Sequence, residues 1–314
     1  MGDDTVDEFA LRTFGLSKKF GNKSVLNKVN LNIRKGDIYG FIGPNGAGKT
    51  TAMKIALGLI SSDEGEIEVF GQPANYKSCR KVGSLIEAPG LYTGCSAYEN
   101  MKRFAILNSA SNDDISFYLR MVGLEGVGNK QVKAFSLGMK QRLGIAIALL
   151  GNPELLILDE PVNGLDPMGM RDVRDIIQFI NKERGVTFFI SSHLLGELEK
   201  VANIYGLINC GCLVEEITAT ELARRCGYNV VVRCNDPEMA LIILKQKFSI
   251  ENAEISNGLI TIPADPAVSG RINEGLVSSG IEVSELIINR ISFEDYLLRK
   301  MSQFNVGSGV GQYA

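Results

Sequence analysis

The sequence predicts an α/β fold built around a parallel sheet, and three observations carry that prediction. The apolar runs "DIYGFIG", "ELLILDE" and "GVTFFIS" show no polar alternation, as expected of strands covered on both faces. The first run leads directly into a glycine-rich turn and a helix-like stretch, "KTTAMKIALGL". The other two bracket "GMRDVRDIIQFINKER", an amphipathic segment that completes a β-α-β unit.

Taken in chain order, residues 1–8 form an acidic N-terminal extension and residues 9–217 a first domain. Within it, "LRTFGLSKKF", a turn at "GNK" and "VLNKVNLNI" alternate as short strands, with apolar residues at 25, 26, 29, 31 and 33. A helical, turn-punctuated subdomain covers about 90–150. After residue 217 the character changes. Strand-like segments ("NVVVRC", "GLITIP", "IEVSELII") then mix with helix-like ones ("PEMALIILKQKF", "GRINEGLVSSG", "FEDYLLRKM"). These describe a small C-terminal α/β domain over 218–302, followed by a flexible tail over 303–314.

Bulk properties narrow the function. The 314 residues are 45% hydrophobic, normal for a chain with a real core, and the net charge of −3 gives no basic surface for nucleic acid. Six cysteines lack zinc-type spacing and read as reduced thiols of a cytoplasmic protein. "MGDDTVDEFA" has neither the basic nor the apolar region of a signal peptide. No run approaches the roughly 18 apolar residues of a membrane span, so any link to a membrane is expected through a partner.

The chemistry begins at "GPNGAGKTT", where Gly43, Pro44, Asn45, Gly46, Ala47, Gly48, Lys49, Thr50 and Thr51 sit between strand and helix. Glycines there let successive N–H groups face phosphates, and the helix N-terminus adds partial positive charge. Lys49 is placed to neutralise β- and γ-phosphates, and the Thr50 hydroxyl to bind Mg2+. "LLILDE" then ends in two carboxylates at the sheet edge where such folds bind ligands. Asp159 suits Mg2+ and its waters; Glu160, one residue on, suits a general base. Between them, Ser136 and Gly138 precede a long helix that Ser136 could cap. The chain's single histidine, His193, follows "FFISS".

The ordered set of P-loop, Ser-x-Gly-x-Lys-Gln-Arg, Asp-Glu strand, "NGLDP" and Ser-His resembles the ATP-binding subunit of an ABC transporter, over roughly residues 9–217. The resemblance implies a P-loop NTPase domain with antiparallel β and helical subdomains, and a cytoplasmic ATPase held at the inner membrane face by a separate permease. It implies ATP and Mg2+ as ligands and action as a dimer, with Ser136 and Gly138 facing ATP held by a second ATP-binding subunit, either another copy of this chain or a paralogue. Leu165 and Asp166 match the family's D-loop, and Phe20 the aromatic that stacks on adenine. His193 matches the histidine that contacts the γ-phosphate and holds the attacking water with Glu160.

Two features depart from the common family pattern. Leu137 and Met139 stand where a glycine and a glutamine are usual, and Glu87 replaces the glutamine of the loop beside the permease. Glu87 is expected on the metal side, facing Mg2+-bound water. With "EAPGLY", "SLGMKQR", the appended domain and "ISFEDYLL", it resembles the branch exporting bacitracin and lantibiotic-type peptides. Other cargoes, such as an ion or a lipid, are the alternative. A soluble ABC-type ATPase acting on nucleic acid or ribosomes would need a long coiled-coil insertion or two cassettes, and neither is in this sequence. An unrelated P-loop kinase or GTPase would leave "SLGMKQR" and Ser-His unexplained.

Overall fold

The computed structural model describes residues 8–75, 78–108 and 110–307. The N-terminal extension up to residue 7 and the tail from 308 onward lie outside the described residues. The chain divides into two compact units, Met1–Ala219 and Thr220–Ala314.

The first unit runs β1 (Phe9–Phe20), β2 (Lys23–Val29), β3 (Asn32–Arg34), β4 (Ile38–Ile42), α1 (Lys49–Ala56), β5 (Glu64–Val69), β6 (Gln72–Pro73) and β7 (Val82–Leu85). Three helices follow: α2 (Ala97–Asn108), α3 (Asn112–Met121) and α4 (Leu137–Ala148). Then come β8 (Leu155–Asp159), α5 (Pro167–Arg184), β9 (Thr187–Ser192), α6 (Leu195–Leu198), β10 (Ile204–Asn209) and β11 (Cys212–Thr218).

The central sheet has the order β11-β10-β4-β9-β8-β7. Its pairings are parallel except for the antiparallel β10–β11 hairpin. Every residue of β4, β8 and β9 is buried, which accounts for their lack of alternation. A separate antiparallel sheet has the order β2-β1-β5-β6, with β3 paired to β1. Leu11, Leu16, Ile33, Phe41, Met53 and Phe189 share one apolar cluster, so both sheets and α1 close over the same core.

Several boundaries differ from the sequence expectation for identifiable reasons. "VLNKVNLNI" is two strands, because β2 ends at Val29 and β3 pairs with a different part of β1, while Lys28, at φ +50°, lies at a bulge within β2. Gly15, at φ +61°, lies where the register of β1 against β5 shifts, and its N–H donates to Asn30 Oδ1 at 2.6 Å. α1 stops at Ala56 because the chain turns through Gly58 at φ +68°. α5 starts two residues earlier than "GMRDV", at Pro167, with Asp166 as its N-cap. Strands β5, β6, β7, β10 and β11 escaped the sequence reading. β7 is too short to show a pattern, and "IYGLIN" is a buried run that periodicity alone does not assign.

From the end of the first unit, α7 (Ala219–Arg225) leads into β12 (Gly227–Cys234), α8 (Pro237–Phe248), β13 (Glu254–Ser256), β14 (Leu259–Pro263), α9 (Ser269–Val277), β15 (Val283–Ile291) and α10 (Phe293–Gly307). The sheet order is β13-β14-β12-β15, antiparallel throughout. Val230, Val232, Ile260 and Ile262 meet Leu244 of α8 and Leu276 of α9 in a second apolar cluster. α10 continues past residue 302 into the stretch read as a tail, and the Ser302 hydroxyl donates to the Arg299 carbonyl at 2.9 Å.

Candidate functional site

The P-loop is shaped by what glycine leaves out. A Cβ on Gly43 would run into the carbonyl oxygen of Ile208 on β10. Gly48 holds φ +108° at the N-cap of α1, and a Cβ there would lie 2.7 Å from both Leu26 Cδ2 and the Val25 carbonyl. Behind the loop, the Gly211 N–H at the β10–β11 turn donates to the Ala47 carbonyl at 3.1 Å. The loop therefore lies against β2 and β10 with no room for side chains at these positions. No side chain caps α1, so its first-turn N–H groups stay available to an anion.

Lys49 is buried, and its ammonium folds back over the loop, donating to the Gly43 carbonyl at 2.7 Å and the Pro44 carbonyl at 3.3 Å. It also lies 3.5 Å from Glu160 Oε1. A cradle of backbone N–H groups with a buried cation over it fits a polyphosphate. The cleft in front measures about 350 Å3. Phe20, Lys23, Asn45, Gly46, Thr50, Thr51 and Glu160 all line it. Phe20 is 53% exposed at its mouth, a flat apolar face open to a base.

The carboxylates at the end of β8 are tied to both neighbours. Asp159 is buried; its Oδ2 accepts from the Thr50 hydroxyl at 2.8 Å and its Oδ1 from the Ser191 hydroxyl at 2.5 Å. Hydroxyl and carboxylate side by side are hard oxygen donors suited to Mg2+, which takes one or two carboxylates and keeps several waters. Glu160 adopts φ +50°, in the left-handed region. Its N–H donates to the Ser191 hydroxyl at 2.9 Å and the Ser191 carbonyl at 3.2 Å. Its Oε2 lies 2.8 Å from His193 Nδ1 and accepts from the His193 N–H at 3.3 Å. Where Glu160 is a carboxylate, Nδ1 carries the proton of that contact.

Ser191 had no role in the sequence reading, where it was one of two small residues ahead of the histidine. Its signal is the strand itself: a polar residue in a wholly buried strand needs polar partners, and Asp159 is its direct partner in the β8–β9 ladder. Ser192 serves the turn, where its hydroxyl accepts from the Leu194 N–H at 2.9 Å.

The remaining expected residues fall elsewhere. The exposed Ser136 caps α4, its hydroxyl accepting from the Met139 N–H at 3.2 Å. Asp166 caps α5 through the Gly169 N–H at 2.9 Å. These two helix starts adjoin: a Cβ on Gly138 would sit 3.7 Å from Gly169 Cα and 3.9 Å from the buried Leu165. None of Ser136, Gly138 and Asp166 lines the P-loop cleft of its own chain.

Glu87, expected from the sequence on the metal side, is paired with a lysine of α1. Its carboxylate accepts from the Lys54 ammonium at 2.6 Å, on α1 one helical turn beyond Thr50. A carboxylate finds the nearest cation, and here that cation belongs to the helix. Glu87 also takes φ +60°, turning the chain sharply after β7.

Comparison with known proteins adds the family context. Residues 26–163 match the family model described as "ABC transporter". The chain is 40% identical over 302 residues to the bacitracin transport ATP-binding protein BcrA of Bacillus licheniformis, covering 95% of this chain and 99% of that one. It is 48% identical over 206 residues to the lantibiotic transport ATP-binding protein SrtF of Streptococcus pyogenes, covering 66% and 90%. Among solved structures, a dimeric ATP-binding cassette in a post-hydrolysis state with ADP and Pi superposes with a TM-score of 0.60. That pair is 23% identical, over 67% of this chain and 98% of the other.

Proposed function

Because the chain belongs to the family of ABC transporter ATP-binding proteins, an ATPase family, we propose that its P-loop cleft hydrolyses ATP to drive export of a peptide antibiotic through a separate permease. The carrying observation is the convergence of Lys49, Thr50, Asp159, Glu160 and His193 on one sheet edge. Similarity to a bacitracin transport protein over 95% of the chain, second unit included, supports the cargo class. No helix among the described residues is long and apolar enough to cross a membrane, which supports attachment through a permease.

The residues divide the work as follows. The loop amides and Lys49 bind and neutralise the phosphates, releasing Lys49 from its own loop carbonyls. Thr50 and Asp159 would hold Mg2+, which when bound supplies positive charge against the β- and γ-phosphate oxygens. Glu160 accepts the proton of the attacking water, and His193 holds the Glu160 carboxylate in the crevice. Phe20 offers its ring to adenine. Ser136, exposed, and Gly138, half-buried, both outside their own cleft, are free to cover the cleft of a second subunit, with Asp166 alongside. That arrangement supports a two-subunit sandwich.

The test is Glu160→Gln in the full chain. It keeps shape and hydrogen bonding but removes the base, so ATP binding persists while turnover falls below the detection limit. Hydrolysis within about threefold of wild type would overturn Glu160's role. The same variant is expected to form an ATP-dependent dimer in size-exclusion chromatography; strict monomers with ATP and Mg2+ would overturn the sandwich.

A further inference from the structure

We propose that Ser191 is a positioning residue for hydrolysis, the single hydroxyl that holds both the Asp159 carboxylate and the Glu160 backbone at the end of β8. This rests on the ATPase reading above and adds a residue to it. The observation is a fork. One oxygen, Ser191 Oγ, donates to Asp159 Oδ1 at 2.5 Å and accepts from the Glu160 N–H at 2.9 Å. Ser191 has no exposed surface, so no water substitutes for either bond.

Each arm has a consequence. Asp159 is 3% exposed, and its two oxygens are held by two hydroxyls, Ser191 on one side and Thr50 on the other. Fixing Oδ1 turns Oδ2 toward Thr50, so that both oxygen donors face the P-loop helix. The second arm fixes the Glu160 N–H in a left-handed conformation that residues other than glycine seldom adopt. That conformation returns the Glu160 side chain to the crevice, within reach of His193 and Lys49.

The role is separable from strand pairing. Phe188, Phe189 and Ile190 fill the core from the same strand, and the β8–β9 ladder is made by backbone groups. The Glu160 N–H also keeps the Ser191 carbonyl as acceptor at 3.2 Å without the hydroxyl. Removing the hydroxyl therefore frees the Asp159 carboxylate to turn and leaves the Glu160 N–H with only its longer bond, while the sheet stays closed.

The experiment uses the full chain with Ser191→Ala, Ser191→Thr and Ser191→Cys, the last nearly isosteric in case alanine fails to fold. Mn2+ binding to the ADP-loaded protein is read by electron paramagnetic resonance, ADP affinity is measured without metal, and kcat and KM for ATP are measured with excess Mg2+. In Ser191→Ala, Mn2+ affinity and kcat each fall about 10-fold, in the range for partners that orient metal ligands. Metal-free ADP affinity and KM stay within twofold. Ser191→Thr, which keeps the hydroxyl, recovers to within about threefold, and Ser191→Cys, a weak donor, behaves as alanine does.

Mn2+ affinity and kcat both within twofold of wild type in the alanine and cysteine variants would overturn the proposal. So would a parallel loss of metal-free ADP binding and thermal stability that threonine does not restore, since that marks a packing role. A wild-type chain that binds neither ADP nor Mn2+ would instead overturn the ATPase reading, and this inference with it.

Discussion

At the scale of single residues, the site rests on two kinds of constraint, charge and space. His193→Ala removes the imidazole beside Glu160, and hydrolysis is expected to fall roughly 100-fold with ATP affinity little changed, because Lys49 and the loop amides do the binding. Turnover assays beside nucleotide titrations check that split, and a large loss of affinity at unchanged turnover would reverse it. Gly43→Ala acts through space: its methyl meets the Ile208 carbonyl, so the loop must open or β10 must shift. Overpacking of this kind costs about 1–3 kcal/mol, and a lowered melting temperature together with lost ADP binding is the expected pair of readouts. The motif residues were legible because their spacing is set by phosphate geometry. The Lys54–Glu87 pair was not, since 33 positions separate the two and only the turn after β7 brings them together. With Lys54 holding the carboxylate, Glu87→Gln is expected to leave isolated ATPase activity within a few-fold while weakening peptide resistance in cells that carry the permease. Equal losses of both would make Glu87 a catalytic ligand.

At the scale of elements, caps decide where helices start, and carboxylates make several of them pH-sensitive. Asp114 closes a capping box with Ser111, and Glu99 makes the matching exchange with Ser96. Backbone N–H donation, from Ser111 to Asp114 and from Ser96 to Glu99, holds each carboxyl below its ordinary range, with the serine hydroxyls adding to the effect. A depressed carboxyl stabilises the fold at any pH above its unfolded value, and that contribution fades as pH falls through the lowered folded value. An Asp114→Asn/Glu99→Gln double variant should therefore melt below wild type at neutral pH, with the gap closing in strong acid. A gap that persists there would assign the effect to packing. Asp166→Ala removes the α5 cap and is expected to cost about 1 kcal/mol, a few degrees in melting temperature for a unit of this size. The fully buried strands announced themselves in the sequence by unbroken apolar runs. The antiparallel part was harder to read, because "VLNKVNLNI" alternates from Val29 to Ile33 straight across the break between β2 and β3.

At the scale of the whole molecule, two apolar clusters in two compact units predict two unfolding events. Calorimetry of the full chain with ADP and Mg2+ should raise only the transition belonging to the first unit, since ligand stabilises the state that binds it. A single transition, raised as a whole, would mean that the units unfold together. The sequence changes character after residue 217, but the four-stranded order of the second sheet could not be read from strands whose pairing is non-local. One contact in the first unit reaches beyond thermodynamics. The P-loop carbonyl of Ala47 is bound by the N–H of Gly211, and β4 has its two sheet neighbours in β9 and β10, all late in the chain. During translation the motif "GPNGAGKTT" emerges long before the strands that give it shape. The loop's backing by the β10–β11 turn is therefore completed only after most of the first unit has been synthesised.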